Sequence, residues 1–353
     1  MTIKHRVAVV GLGMAVKPHA LALIDLAAAG RVDIAGGYSP SMARRMQFTE
    51  SFGLPIFENL EQVMDDKSID VVLILTPPFA HLDLARQAAA AGKHILMEKP
   101  VEGTTARALE LVAACEAAGV TLGVVFQHRF RAGALALTQA IAEGRLGRLL
   151  SASATIRWWR APEYFAQPGR GMKARDGGGV LLTQAIHTLD LFLSLTGPLK
   201  RVAARASTSP LRQIDTEDIV AAALEFDNGA LGVLDATTVT FPGFPERIEI
   251  AGELGSAVLE VEKLELYFKD GKRETHGATT GAGGGGADPM AFNHAYHRDL
   301  IGDFLDAIEQ RRAPISSGRG ALRVHHAIDA LLASSEYGSW VAPADVPGGS
   351  AAR

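Results

Sequence analysis

The chain has 353 residues, 48% of them apolar, and a formal net charge of −4. That length suggests two domains and the apolar content suffices for a sizeable core, while the charge balance offers no basic surface for nucleic acid. A lone cysteine excludes an internal disulfide and fits a reducing compartment; Cys115, in the helix-like "LELVAACEAAG", reads as a small buried hydrophobe, and no Cys/His spacing suggests a metal site.

No apolar run approaches the roughly 20 residues of a spanning helix. "MTIKH" leads straight into the strand-like "RVAVV", leaving no room for a signal peptide. The expectation is a soluble, cytoplasmic protein with no membrane partner.

The first third alternates two signals. "RVAVV", "VDIAGGY", "DVVLILT", "KHILME" and "TLGVVF" are continuous β-branched runs, the pattern of parallel strands covered on both faces. Ala-rich helical runs separate them; "HLDLARQAAAAG" stops at Gly92 and "TTARALELVAACEAAG" at Gly119. This rhythm predicts a doubly wound, Rossmann-type parallel sheet over residues 1–125.

The loop after the first strand, Gly11, Leu12, Gly13 and Met14, places glycines where a pyrophosphate would meet a helix N-terminus. Val16 stands where a dinucleotide fingerprint has its third glycine, which predicts a slightly displaced helix rather than a lost phosphate site. His19, further along, is expected to pack. The second strand ends in "GGYSPSMARR" without a carboxylate at its tip, Asp33 lying at the other end. Ser39 with Arg44 or Arg45 suits a 2′-phosphate and favours NADP, with NAD left open; a solvated helix start accounts for the same residues. "LMEKP" puts Glu98, Lys99 and Pro100 at the carboxyl end of a buried strand, and Pro100 restricts Lys99 to extended geometry. A desolvated lysine beside a nicotinamide cation can exchange a proton with a hydroxyl, the alternative being an ordinary surface lysine in a turn.

From residue 126 to 353 the pattern becomes α+β. Half-buried, antiparallel-looking strands follow, with hairpin signals at "DNG" and "DG". The glycine-rich "GATTGAGGGGADP" reads as a flexible loop. "RDGGGVLLTQAIHTLDLFLSLTG" reads as one buried helix with Thr183, His187 and Asp190 along one side; a satisfied structural histidine is the ordinary reading of His187 and a catalytic one the sharper. Between Arg157 and Arg175, Trp159, Tyr164, Arg170 and Lys173 mix aromatic faces with cations, which suits a sugar ring and an acidic group, and Arg129 in "FQHRF" adds another cation. A mobile surface loop explains that stretch equally well.

Taken in order, the Gly-x-Gly loop, "TPPFAH", "EKP", and "GGG" followed by His-x-x-Asp resemble the Gfo/Idh/MocA (glucose–fructose oxidoreductase / inositol dehydrogenase) family, and "EGRLGRLL" and the "DFLDAI" tail extend the likeness along nearly the whole chain. The resemblance implies a nucleotide-binding domain followed by a domain with a large, open, mostly antiparallel sheet, which carries the substrate site and joins copies into a homodimer or homotetramer. It implies that Thr76, Pro77 and His81 line the nicotinamide side and that Glu98 contacts the cofactor. Lys99 would be the acid/base group, and His187 would bind the reacting oxygen. Many members carry Asp where this chain has Thr183, so proton exchange would rest on Lys99 and His187. "TQAIH" is similar to two subgroups, sugar-acid (UDP-N-acetylglucosamine-uronate) 3-dehydrogenases and dehydrogenases of carboxylated cis-dihydrodiols. The expected activity is therefore NAD(P)-dependent oxidation of a secondary hydroxyl on a polyol, cyclitol, sugar or sugar acid. The alternatives are dihydrodiol oxidation, an oxidised sugar kept bound for a further step, and a non-catalytic nucleotide sensor on the same fold.

Overall fold

A strand covered on both faces has to be apolar throughout, and all four residues of Val71–Ile74 and five of six in His5–Val10 are buried. The structure, a computed structural model, describes residues 4–278 and 293–343, so most of the glycine-rich stretch expected as a flexible loop lies outside the described residues. In chain order the first part comprises β1 (His5–Val10), α1 (Val16–Ala28), β2 (Val32–Tyr38), α2 (Met42–Phe52), α3 (Leu60–Asp65), β3 (Val71–Ile74), α4 (His81–Ala90), β4 (His94–Met97), α5 (Thr105–Ala117) and β5 (Leu122–Val124). Its strands form one parallel sheet in the order β2-β1-β3-β4-β5. Val16 opens α1 half-buried, and the helix buries Ala20, Ala22 and Leu23 in full.

The chain continues with α6 (Ala132–Ala142), β6 (Leu149–Arg157), the single turns α7 (Pro162–Phe165), α8 (Lys173–Asp176) and α9 (Val180–Thr183), and α10 (Ile186–Thr196). There follow β7 (Leu199–Ser207), β8 (Ile219–Phe226), β9 (Leu231–Thr237), β10 (Arg247–Gly252), β11 (Gly255–Glu260), β12 (Lys263–Phe268) and β13 (Arg273–His276), then α11 (Ala295–Gln310) and α12 (Gly318–Tyr337). The eight strands form a second sheet, β13-β12-β11-β10-β6-β9-β8-β7, antiparallel except where β6 and β9 run together. Its strands alternate as half-buried strands should: Ala152, Ala154 and Ile156 face inward beside Leu234 and Ala236, and α10 packs against β6. Among the described residues no single helix is long and apolar enough to cross a membrane.

Two compact units result. One takes in the chain up to Gln127 and again Asn293–Leu322; the other begins at His128 and resumes at Arg323. A single cut near residue 126 leaves out this return. It is held to the first unit by the Val124 amide, which donates to the Ser316 carbonyl at 2.8 Å, and by Phe304, 1% exposed, whose ring would meet a Cβ on Gly123 at 2.7 Å.

The single buried helix expected over the "GGG…LTG" stretch is instead two pieces, α9 and α10, and the segment Lys173–Thr183 is bent by 45° against α10. Glu217 fixes the start of the first piece. Its carboxylate accepts from the amides of Gly179 and Leu181, both at 3.1 Å, and its carbonyl accepts from Val180 at 2.8 Å, so the first turn is tied to the start of β8. The Thr183 hydroxyl bonds the Gly179 carbonyl at 2.7 Å and the Gln184 side-chain oxygen at 2.6 Å. Thr183 therefore belongs to α9 and does not share a helical face with His187 and Asp190.

Candidate functional site

In the first unit, three loops at the carboxyl ends of β1, β3 and β4 form the expected nucleotide edge. Gly11 has φ +105° and a Cβ there would lie 2.6 Å from the Leu75 carbonyl carbon, so the close passage of β1 and β3 requires glycine. Gly13 serves differently: a Cβ on it would meet nothing within 4 Å, leaving open space before α1. The residue preceding α1, Ala15, makes no side-chain capping bond, so although the Val16 amide donates to the Gly13 carbonyl at 3.2 Å, no side chain competes with an anion for the amides that follow. Leu12 is buried, Met14 is exposed, and the Thr76 hydroxyl is buried without a hydrogen-bond partner among the described residues. Open space, uncapped amides and an orphaned hydroxyl together fit a dinucleotide.

The tip of β2 sorts its candidates. Arg45 is buried and donates to the carbonyls of Ser39 (2.7 Å) and Glu58 (3.2 Å), which makes it a brace. Ser39 is buried as well, and its hydroxyl accepts from the Ser41 amide at 3.4 Å. Of the residues expected to meet a 2′-phosphate, only Arg44 stands exposed, on the first turn of α2. Asp33 is at the far end of the strand, 3.6 Å from Arg6.

At the tip of β3, Pro77 is exposed and Thr76 half-buried, but His81 is wholly buried. One of its ring nitrogens faces the Thr76 carbonyl at 2.8 Å; the other faces the carbonyls of Pro100 and Val101, both at 3.1 Å. Burial pushes its pKa down, against the pull of these carbonyls. His81 thus braces the Thr76 and Lys99–Pro100 loops to each other instead of presenting its ring to a ligand.

Lys99 is half-buried and joined to Pro100 through a cis peptide bond. Its amide donates to Glu98 Oε2 at 3.0 Å, while Glu98 Oε1 accepts from His19 Nε2 at 2.9 Å. Burial opposes the Glu98 charge, but the His19 hydrogen bond and nearby positive charge outweigh it and hold the carboxyl at about 2. His297, from the returning α11, meets the His19 ring edge-on, with centroids 4.8 Å apart. Burial, then the proximity of His19, pushes His297 down to about 3. The expectation that His19 only packs is corrected here: it is 0% exposed, yet it is bonded to the residue preceding the candidate lysine. His19, Glu98 and His297 are also the one group among the described residues with ligand atoms close enough to surround a cation, although the direct His19–Glu98 bond leaves no room for an ion between those two atoms.

In the second unit, His187 stacks on His128 with ring centroids 5.0 Å apart. Arg131 donates to His128 Nε2 at 2.8 Å and to Glu246 at 2.7 Å, so a buried chain of polar groups stands behind His187. Arg129 does not face outward as a cation for substrate. Its guanidinium grips Asp190 through two hydrogen bonds of 2.6 and 2.7 Å, and Asp190 is 2% exposed. Burial disfavours both charges: at Arg129 the Asp190 carboxylate more than offsets it and the pKa stands raised, whereas at Asp190 burial outweighs Arg129 and pushes the carboxyl up. Arg170 lies over the Tyr164 ring at 4.9 Å, 3.6 Å from Asp176, and the Tyr164 hydroxyl accepts from Gln184 at 3.1 Å. Trp159 is half-buried, edge-on to Phe241, and Lys173 is exposed. The 158–176 stretch therefore stacks arginines on aromatic rings, with Arg212, bonded to Asp218 at 2.9 Å, set over Phe165 at 4.4 Å. Glu217 and His297 were missed because their partners lie far off in sequence; His128 and Arg212 have partners close by, at Arg131 and Asp218, and for His128 its place beside Arg129 was the available signal.

Comparison with known proteins agrees with this architecture. Residues 5–126 match the family model of the oxidoreductase family with an NAD-binding Rossmann fold, and residues 134–258 match the GFO/IDH/MocA C-terminal domain. Levoglucosan dehydrogenase of Pseudarthrobacter phenanthrenivorans is 30% identical over 350 residues, covering 86% of each chain. An uncharacterised oxidoreductase of Synechocystis is 28% identical over 246 residues, a match spanning 65% of either protein. Among solved structures, levoglucosan dehydrogenase with NADH and levoglucosan superposes with a TM-score of 0.85 at 26% identity, over 96% of this chain and 99% of that one. The WlbA dehydrogenase of Bordetella pertussis with NADH and UDP-GlcNAcA gives 0.81 at 27% identity, over 96% and 99%. The chain belongs to the Gfo/Idh/MocA family of NAD-binding oxidoreductases.

Proposed function

We propose that this enzyme oxidises a secondary hydroxyl of a sugar or cyclitol, with Lys99 exchanging the hydroxyl proton and His187 orienting the oxygen. The observation that carries the reading is the first unit's nucleotide edge: a start of α1 without a side-chain cap, an orphaned Thr76 hydroxyl and a half-buried Lys99, all at the carboxyl ends of one parallel sheet. A bound NAD(P) supplies the hydride acceptor. Thr183, a poor base whose hydroxyl is used within α9, supports leaving the proton to Lys99 and His187.

Substrate charge can be argued from the second unit. Arg129 is committed to Asp190, and Arg170 to Asp176 and the Tyr164 ring. This favours an uncharged ring over a sugar acid or a carboxylated dihydrodiol, and agrees with levoglucosan, bound in one of the similar structures. For the cofactor, exposed Arg44 at the tip of β2 supports use of NADP alongside NAD. We also propose that the outer face of the eight-stranded sheet pairs with a second copy.

The test is NAD(P)H formation with a panel of levoglucosan, pyranoses, inositols and uronates. Lys99→Ala is expected to lower kcat by about 10²-fold or more, and Arg44→Ala to raise KM for NADP much more than for NAD. Undiminished turnover in Lys99→Ala would sink the mechanism. Uronates turned over in preference to neutral sugars would reverse the substrate assignment.

A further inference from the structure

We propose that His19 is a positioning residue for the acid–base lysine, acting through Glu98 to hold the backbone of Lys99 in place. The inference rests on the reading of Lys99 given above and extends the machinery to a helix and a returning segment outside the catalytic motif.

The geometry is a three-part relay of position. Glu98 is an acceptor only, so His19 Nε2 must carry the shared proton and donate it across 2.9 Å. The other carboxylate oxygen accepts from the Lys99 amide at 3.0 Å. One carboxylate thus connects α1 to the amide of the lysine itself. A histidine buried only to fill space would be a poor choice, since a leucine fills the same volume without a polar ring to desolvate. His19 is completely buried, and its Nδ1 has no hydrogen-bond partner among the described residues, so the bond to Glu98 is what compensates its burial. Its orientation is set from outside by His297, edge-on at 4.8 Å and 2% exposed, from the segment that rejoins the first unit.

Without the His19 donor, Glu98 Oε1 would be a buried carboxylate oxygen lacking its partner. Such a group protonates or swings towards water, and either response loosens the Lys99 amide. A displacement of about 1 Å at a reacting group is enough to cost roughly 10²-fold in rate while binding elsewhere persists.

The experiment compares His19→Leu, which removes the donor at similar volume, with His19→Gln, whose amide nitrogen restores a donor of similar reach. Lys99→Met runs in parallel. His19→Leu is expected to lower kcat by about 10- to 100-fold with the KM for nucleotide within about threefold of wild type, and His19→Gln to recover most of the loss. A second readout needs no substrate: with ¹⁵N-histidine labelling, the wild type should show a slowly exchanging, downfield imidazole N–H that shifts in Glu98→Gln and disappears in His19→Leu. Full activity in His19→Leu overturns the proposal, as does His19→Gln behaving no better than His19→Leu, or a wild type lacking that resonance. Nucleotide binding lost together with kcat overturns it too, because the damage would then be general to the unit. Should Lys99→Met retain turnover, the reading of Lys99 falls first, and leaves His19 nothing catalytic to position.

Discussion

Two buried histidines make the stability of this chain depend on pH on the acid side of neutrality. Burial, followed by the proximity of His19, pushes His297 down to about 3; burial, followed by His326, pushes His325 to about 4. In the unfolded chain both take up protons near pH 6.5. As the pH falls through that value the unfolded state binds protons that the folded state refuses, so stability present above about pH 6.5 is lost progressively towards each folded value. At pH 5 the loss is about 2 kcal/mol per histidine. Glu98 has the opposite chemistry but the same sign: held at about 2, it contributes stability above its usual carboxylate range that disappears only below about pH 4.5. Urea titrations should therefore give a lower unfolding free energy at pH 5 than at pH 7, with His297→Gln removing roughly 2 kcal/mol of the difference. A free energy unchanged between those pH values would refute the burial argument. At this scale the place of Lys99, just past a buried strand and before a proline, was legible, because both features stand in the sequence. Arg129 was misread because its partner, Asp190, lies 61 residues away, and sequence shows a cation without showing who neutralises it.

Between residues and molecule, the "GGG" stretch shows how one motif can hide a break. A run of apolar residues after glycines predicts a continuous helix, and periodicity alone shows neither the break at Gln184 nor the carboxylate just before β8 that caps the first turn. Glu217 occupies the first-turn amides, and a Cβ on Gly179 would lie 1.9 Å from the Glu217 carbonyl oxygen. Gly179 is therefore required by a close backbone approach, and the chain then bends at Gln184 so that α10 can present His187 and Asp190 one turn apart. Substitution Gly179→Ala should cost about 3 kcal/mol, the upper range for overpacking against backbone that cannot yield. Glu217→Gln keeps one acceptor and should cost nearer 1 kcal/mol. Thermal or urea unfolding of the two variants measures both; a Gly179→Ala protein as stable as wild type would mean that the contact relaxes freely. The parallel strands, by contrast, were plain in the sequence, because burial on both faces leaves only apolar residues to choose from.

For the whole molecule, the division into two units was legible where the βαβ rhythm stops, while the return of α11 was not: its amphipathic pattern requires burial against something, and many surfaces would satisfy it. The open sheet raises the same question on a larger scale. On its outer face Leu231 and Val233, 60% and 54% exposed, stand opposite Ser151 and Ser153 of β6 and Glu225 and Ala223 of β8. Small residues on three sides, with Glu225 held by Lys200 and Arg201 on the fourth, leave the two exposed aliphatics on a surface that a second copy would meet face to face. Seven strand spacings of about 4.8 Å and a strand length near 20 Å give roughly 700 Å² per partner, close to the 800 Å² of a standard stable interface. On the same face Arg247 and Glu249 of β10 already neutralise each other at 2.6 Å, so a two-fold pairing would not bring unpaired charges together there. Burying Leu231 and Val233 in this way contributes a few kcal/mol at about 25 cal/mol per Å², whereas a glutamate at Val233 would place like charges across the two-fold axis. Analytical ultracentrifugation should find the wild type as a dimer or tetramer, and Leu231→Glu with Val233→Glu should lower the association state without lowering the thermal midpoint of the individual units by more than a few degrees. Wild-type protein sedimenting as a monomer, or a double variant sedimenting like wild type, would remove this face as the interface and leave its exposed aliphatics to another explanation.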